Sequence, residues 1–371
     1  MRIGIDARIL SEKNYAGIGQ YLYEIIDKWK TEYPENEYFL FSRREIFLKD
    51  DFPENWHIVN EPWIIDNRKL WYIFKLPQLI KDKEIEVFWG PNFSLPKKVR
   101  KVKYVVTVHD LAIYKFKGIG EIKNSILIKI FGKRDCRKAD KVIAVSQTTA
   151  KDVKEIFGVS SQKIRVCYNG GVEKSSYKTD DLIVRDELKN ERDYILFVST
   201  IEPRKNVVRL IDGYERYREE YPERQTKLIL AGKRGWRSNE VFRRIEESIY
   251  SNDIIVTGYV NLNEKRYLFE NATCFVYPSL YEGFGIPILE AFSYGLPVIT
   301  VRSSSLPEVG GEAALYLEEN GDAEELAKLI EYVQTMSQSE KDELVKKMRK
   351  QSQLFSWEKC AKETMKVIRE V

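Results

Sequence analysis

Apolar, β-branched runs alternate with amphipathic stretches of helical spacing almost from end to end, and this alternation is the feature that most limits the fold. Arg2–Asp6, "EYFLFS", "EVFW", "KYVVTVHD", "KVIAVS" and "KIRVCYN" read as strands, with helices over Ile18–Lys30, Ile119–Lys138 and Thr148–Ile156. Continuously apolar strands separated by helices predict a parallel sheet covered on both faces. The pattern lapses between Gly170 and Asp193, which is polar, poorly periodic and reads as an interdomain linker with a lead-in segment. A second series follows, with strands at "YILFVST", "KLILAG", "DIIVTGYV", "CFVYPS" and "PVIT". Its helices fall at Val207–Glu219, Asn239–Ser248, Asn263–Glu270, near 322–334 and 338–351, and at Trp357–Val371. A length of 371 residues exceeds what one core usually organises. The expectation is an α/β chain of two doubly wound, Rossmann-like domains, 1–173 and 174–355, facing each other across a cleft. In such sheets ligands bind beyond the carboxyl ends of the strands.

Composition narrows the function. No run of about 18 apolar residues is present, so no membrane-spanning helix is expected. "MRIGIDARIL" reads as a first strand, not as a signal peptide. Cys136, Cys167, Cys274 and Cys360 are widely spaced and form no CxxC, which fits reduced, buried thiols in a cytoplasmic protein. With two histidines, His57 and His109, and no clustered Cys, no metal site is expected. The net charge of +4 is uneven: Lys97–Lys138 holds thirteen Lys/Arg against Asp110, Glu121 and Asp135. A concentrated basic face suits an anionic partner, and a solvated helix face explains it equally well.

The chemistry concentrates at the predicted carboxyl ends of strands. In "YPSLYEGFGIPILEAFSYGLPVIT", Tyr277–Thr300, a strand, a Gly-rich turn and a helix are expected, with Pro287 and Glu290 on the first helical turn. Gly283 and Gly285 allow close approach to the backbone, and a helix start attracts phosphate. Glu282 on the loop and Glu290 on the helix then flank an anion seat, as a pyrophosphate between two polyols requires. An ordinary buried strand–turn–helix with two solvated glutamates fits the same stretch. In "AGIGQY", Gly17 and Gly19 precede a helix start, but Leu22 stands where a dinucleotide fingerprint needs glycine. His109 ends the strand of "VTVHDL". In "STIEPRKN", Glu202, Arg204 and Lys205 lead into a helix, where cations oppose the helix dipole and an anion would offset them. Lys233 in "LILAGKRGW" and Gly258, Tyr259 and Val260 in "VTGYV" occupy equivalent positions, suited to contacts with a base.

Together these residues resemble the retaining, GT-B-fold glycosyltransferases of family 4 over nearly the full chain. "EGFGIPILE" looks like that family's Glu-x7-Glu motif, and "EPRKN" like its donor-phosphate motif in bacterial mannosyltransferases. "AGIGQY", "VHDL", "AVSQTTAKDV" and "CYNGGV" are similar to its N-domain and hinge landmarks, in order. The resemblance implies nucleotide binding in the C-terminal domain and acceptor binding in the N-terminal one, with the final helix 356–371 packing back on the latter. It implies ribose hydroxyls on Glu290 and the sugar or phosphate on the amides of Phe284, Gly285 and Ile286. Glu282 would meet hydroxyls of the transferred sugar, and Arg204 and Lys205 the pyrophosphate. His109 would lie beside the sugar, and the Gly17–Gly19 loop near the phosphates and acceptor. No metal or other cofactor is implied, and no DxD triplet is present in that setting. Front-face displacement is the expected mechanism, with double displacement through Glu282 left open.

The resulting expectation is a cytoplasmic hexosyltransferase at the inner face of the membrane. It would move mannose from GDP-mannose to a lipid-linked saccharide in surface polysaccharide, lipopolysaccharide or O-antigen biosynthesis. The basic segment and "RKLWYIFK", Arg68–Lys75, would touch the membrane; an ordinary core helix explains the latter equally well. Alternatives are a GT-B-fold nucleotide-sugar epimerase and a non-catalytic nucleotide-sugar binder. Nucleic acid is not an expected partner, because the basic segment lacks a groove-reading motif.

Overall fold

The computed structural model describes residues 1–12, 17–61, 67, 70–116, 131–171, 184–189, 191–318 and 322–371. Ala16, Arg68, Lys69, the linker over 172–183 and the basic stretch over 117–130 lie outside the described residues. The chain divides into two compact units, Met1–Gly170 with Ser356–Val371, and Gly171–Phe355.

The N-terminal unit is built on seven parallel strands: β1 (Arg2–Asp6), β2 (Glu37–Ser42), β3 (Trp56–Asn60), β4 (Val87–Gly90), β5 (Lys103–Val108), β6 (Lys141–Ala144) and β7 (Ile164–Val166). Their order is β3-β2-β1-β4-β5-β6-β7. Alternate side chains feed two cores. Ile3, Ile5, Leu40, Trp89, Val105 and Ile143 face one layer, and Phe39, Phe41, Phe88, Tyr104, Val106 and Val142 the other. This two-sided burial is why the strands read as unbroken apolar runs. The final helix, Trp357–Arg369, places Cys360, Ala361, Met365 and Ile368 in the first of these cores. There the Trp29 indole N–H donates to the Ala361 carbonyl at 3.0 Å.

The C-terminal unit repeats the pattern with six parallel strands: β8 (Tyr194–Val198), β9 (Leu228–Ala231), β10 (Ile254–Gly258), β11 (Ala272–Tyr277), β12 (Val298–Val301) and β13 (Leu315–Leu317). The order is β10-β9-β8-β11-β12-β13. Helices Val207–Glu220 and Ala323–Thr335 pack against each other at very close range. A Cβ on Gly213 would stand 2.4 Å from Leu326 Cδ2.

Strands β3 and β13 are absent from the sequence reading. Both are edge strands with a single neighbour; β3 exposes His57, Ile58 and Asn60, which breaks its apolar run, and β13 is only three residues long. Several central strands end earlier than their apolar runs suggest. His109–Asp110, Ser199–Thr200 and Pro278–Ser279 have already left the sheet to form the loops beyond it. Among the described residues no helix is long and apolar enough to cross a membrane.

Candidate active site

Every strand of the C-terminal sheet runs the same way, so the loops after β8, β9, β10, β11 and β12 share one edge. β8 is hydrogen-bonded to both β9 and β11. The loop carrying Arg204 and Lys205 is therefore brought to the loop carrying Glu282, although 77 residues separate Lys205 from Glu282. The β8 loop ends in a short turn, Pro203–Lys205, and then Asn206 at φ 55°, before the helix of Val207–Glu220 begins.

Glu282 is the hub. Its Oε1 accepts from Lys205 Nζ at 2.5 Å, Ser279 Oγ at 2.5 Å and the Tyr277 hydroxyl at 2.9 Å. Its Oε2 accepts from Arg204 Nη1 at 2.9 Å. Lys205 also donates to the Tyr277 hydroxyl at 2.6 Å, so that hydroxyl relays between cation and carboxylate. Arg204 donates to the Tyr281 carbonyl at 2.7 Å, and through Nε and Nη2 to Glu202 at 3.0 and 2.8 Å. Lys205 and Glu282 are both buried, 5% and 8% exposed. Burial alone would raise the Glu282 carboxyl; Lys205 and Arg204 outweigh it and hold the group down at about 2. Burial, and then the Glu282 charge, push the Tyr277 phenol well above its ordinary value. Two cations that oppose a helix dipole are thus balanced here by Glu202 and Glu282.

Three serines after β12, missed in the sequence reading, pin this loop. Ser303 Oγ donates to the Leu280 carbonyl at 2.5 Å, and Ser304 Oγ accepts the Glu282 amide at 2.8 Å. Ser305 Oγ donates to the carbonyls of Glu282 and Phe284 at 2.9 and 2.7 Å. The available signal was "SSSLPE", a run of hydroxyls between a strand and a Pro-started helix.

The turn then enters the helix Ile286–Ser293 with Gly285 at φ 121° and Pro287 in the first turn. A Cβ on Gly285 would meet Leu306 Cδ2 at 3.2 Å, which adds steric pressure to a backbone that already calls for glycine. Glu290 starts the second turn, not the first, because the helix opens at Ile286. Phe284 and Gly285 are buried, and Ile286 is half-buried. Glu290 is 5% exposed and its Oε1 accepts from Lys265, another residue the sequence reading missed.

On the far side of the same edge, Gly232 brings the β9 loop against the β8 loop. A Cβ there would lie 1.8 Å from the Ser199 carbonyl oxygen. The next residue, Lys233, holds its ammonium 4.8 Å from the ring centroid of Tyr259, which follows β10 and is 59% exposed. Val260 lies beside it, half-buried.

The remaining candidates belong to the N-terminal unit. The helix Ile18–Glu32 starts immediately after Gly17, whose φ of 56° and ψ of −114° suit glycine. Gly19 is inside that helix and buried, a correction to its placement before the helix start. His109 Nε2 is 2.7 Å from the Pro91 carbonyl, which accepts only, so Nε2 carries the proton. Burial lowers the His109 pKa, and the ring meets the edge of Tyr21 at 4.6 Å.

Comparison with known proteins identifies the family and the fold. A family model described as Glycosyltransferase Family 4 matches residues 16–171, and one described as Glycosyl transferases group 1 matches residues 179–354. Together they span both units. The chain is a GT-B glycosyltransferase, mannosyltransferase-like in its relatives. It is 27% identical to the O-antigen chain mannosyltransferase B of Escherichia coli, over 94% of each chain. Two solved structures share the fold of this glycosyltransferase. HepE of Anabaena in complex with UDP-glucose has a TM-score of 0.72 at 16% identity, covering 100% of this chain and 99% of that one. WaaG, a glycosyltransferase involved in lipopolysaccharide biosynthesis, has a TM-score of 0.70 at 14% identity, covering 99% of each.

Proposed function

We propose that this glycosyltransferase moves mannose from GDP-mannose to a lipid-linked saccharide in O-antigen or related surface polysaccharide synthesis, with retention and without a divalent ion. The Arg204–Lys205–Glu282 cluster at the sheet's carboxyl edge, with Lys205 and Glu282 buried, carries the reading. A guanidinium and an ammonium fixed side by side, in a pocket of low dielectric, suit a diphosphate leaving group. Two protons of the Lys205 ammonium are engaged by Tyr277 and Glu282; the third is the one a phosphate oxygen takes. The helix start at Gly285–Pro287 adds partial positive charge beside it. Glu290 takes the ribose hydroxyls, with Lys265 fixing its carboxylate. Relatives named as O-antigen mannosyltransferases support the sugar and the pathway class.

Front-face displacement fits the site better than a covalent glycosyl-enzyme. Glu282 is wrapped by four donors, two of them cations, which stabilise its charge and lower its nucleophilicity. In this mechanism the C1–diphosphate bond breaks, the acceptor hydroxyl bonds C1 on the same face, and the departing diphosphate takes the hydroxyl proton. His109, neutral at physiological pH, is the N-terminal unit's candidate for contact with the sugar. Exposed Lys97, Lys98, Arg100, Lys101 and Lys103 make the peripheral contact with anionic lipid at the cytoplasmic face.

The test is incubation of isotope-labelled GDP-mannose with a lipid-diphosphate saccharide. Label in the lipid extract with retained anomeric configuration, undiminished by EDTA, is expected. Free sugar or an epimerised nucleotide sugar would replace transfer by hydrolysis or epimerisation, binding without turnover would leave a non-catalytic protein, and loss with EDTA would overturn the metal-free reading.

A further inference from the structure

The first described charged residue after the linker, Arg185, has no place in the chemistry above, yet its guanidinium is committed to four contacts. Nε donates to Glu264 Oε1 at 2.5 Å and Nη2 reaches Glu264 Oε2 at 3.4 Å. Nη1 donates to the Thr257 carbonyl at 2.8 Å, and Nη2 to the Tyr259 carbonyl at 3.2 Å. The flanking Val184 and Leu188 are buried, so the Arg185 backbone is tied to the unit while its side chain reaches across the surface.

The two carbonyls straddle Gly258, which has φ 69°. Holding the peptide before Gly258 and the peptide after Tyr259 restrains the backbone across both residues, limits the freedom that glycine brings and sets the direction in which Tyr259 leaves the backbone. Glu264 anchors the other end of the same turn. It accepts the Asn261 amide at 2.9 Å while Asn261 Oδ1 accepts the Glu264 amide, a reciprocal cap on the helix Leu262–Asn271. Its neighbour Lys265 reaches Glu290. One guanidinium therefore braces the turn whose exposed product is the Tyr259 ring, with Lys233 over it. An exposed flat ring paired with a cation is a stacking surface for a heteroaromatic base. The fork matters, because a lysine ammonium lacks the planar span to meet a carboxylate and two carbonyls together.

We propose that Arg185 is a positioning residue for nucleobase recognition: it clamps the 257–264 turn so that Tyr259 and Lys233 present a fixed platform to the base of the donor. This rests on the reading of that turn as the base subsite.

The experiment titrates GDP, UDP and inorganic pyrophosphate into full-length wild-type, Arg185→Met, Arg185→Lys and Tyr259→Ala proteins by calorimetry. Arg185→Met keeps an unbranched stem and removes the fork. It is expected to weaken the better-bound nucleotide by about tenfold, the scale of one or two charge-assisted hydrogen bonds, and to leave pyrophosphate within about twofold. Arg185→Lys is expected to recover only part of the loss, and KM for the donor should rise with kcat little changed. Parallel loss of nucleotide and pyrophosphate, or no loss of either, overturns the clamp. If Tyr259→Ala leaves nucleotide binding unchanged, the base-subsite reading itself fails; if Tyr259→Ala weakens it and Arg185→Met does not, only the clamp fails.

Discussion

The two sheets share a strand order, with the first strand of each unit between its second and fourth, yet their carboxyl edges differ in chemistry. After β8 and β11, the C-terminal unit sets Arg204, Lys205, Glu202 and Glu282 in one bonded cluster. In the N-terminal unit, the described residues at the end of β1, the strand equivalent to β8, form a charged pair. Arg8 meets Asp6 through Nε and Nη2 at 2.8 and 2.7 Å and lies 3.8 Å from the Tyr72 ring centroid. Elsewhere in that unit, Tyr21 meets Trp89 and His109 edge-on, contacts of rings and not of charge. The topology supplies a place for a ligand; the residues leaving the strands decide whether that place suits a diphosphate or a polyol. Titration separates the units as well. In the C-terminal unit Glu282 and Glu264 are both held below the ordinary carboxylate range, their cationic partners outweighing burial. In the N-terminal unit burial raises Asp135, Glu24 and Glu363, while Glu358 and Glu370 are lowered.

The sharpest way to break this contrast is to remove one cation from each edge. Lys205→Ala should cut transfer by about a hundredfold or more, by loss of leaving-group stabilisation. It should also destabilise the C-terminal unit by about 3–5 kcal/mol, because a buried carboxylate loses its main partner. Arg8→Ala should leave GDP affinity within about twofold. Steady-state kinetics, urea unfolding and GDP titration measure all three, and an equal effect of both variants on GDP would erase the distinction. Next in size is acid. Glu282, with its folded pKa near 2 against 4.5 unperturbed, contributes stability present above 4.5 and lost as pH falls toward 2. At ~1.4 kcal/mol per pKa unit that loss is about 3 kcal/mol. Asp135 has the opposite sign, since a raised folded pKa favours the folded state once the group is protonated. The C-terminal unit should therefore unfold first on acidification, followed by hydrogen exchange; simultaneous loss would contradict it. Smallest is Glu290→Ala, expected to weaken GDP by about tenfold while removing the preference for GDP over 2′-deoxy-GDP. A retained preference would move the ribose contact elsewhere.

Much of this edge was legible because it is local. Pro287 and the glycines before it announced a helix start, and "EPRKN" announced cations between a strand and a helix. What stayed hidden was partnership. The resemblance gave Glu282 a role toward sugar hydroxyls, but nothing in the sequence announced its partners Arg204, Lys205, Tyr277 and Ser279. Lys265 and Arg185 gave no signal as site residues, and Ser303–Ser305 only a run of hydroxyls, because their role comes from groups that are remote in sequence.

The alternation of apolar runs, the caps and the turn glycines by themselves determined that this chain forms parallel α/β units, since burial on both faces and helix ends follow from short-range periodicity. Only the tertiary structure decided which strands became neighbours. Any order of parallel strands satisfies the same pattern, and it was the adjacency of β8 and β11 that placed two cations, one of them buried, on one carboxylate.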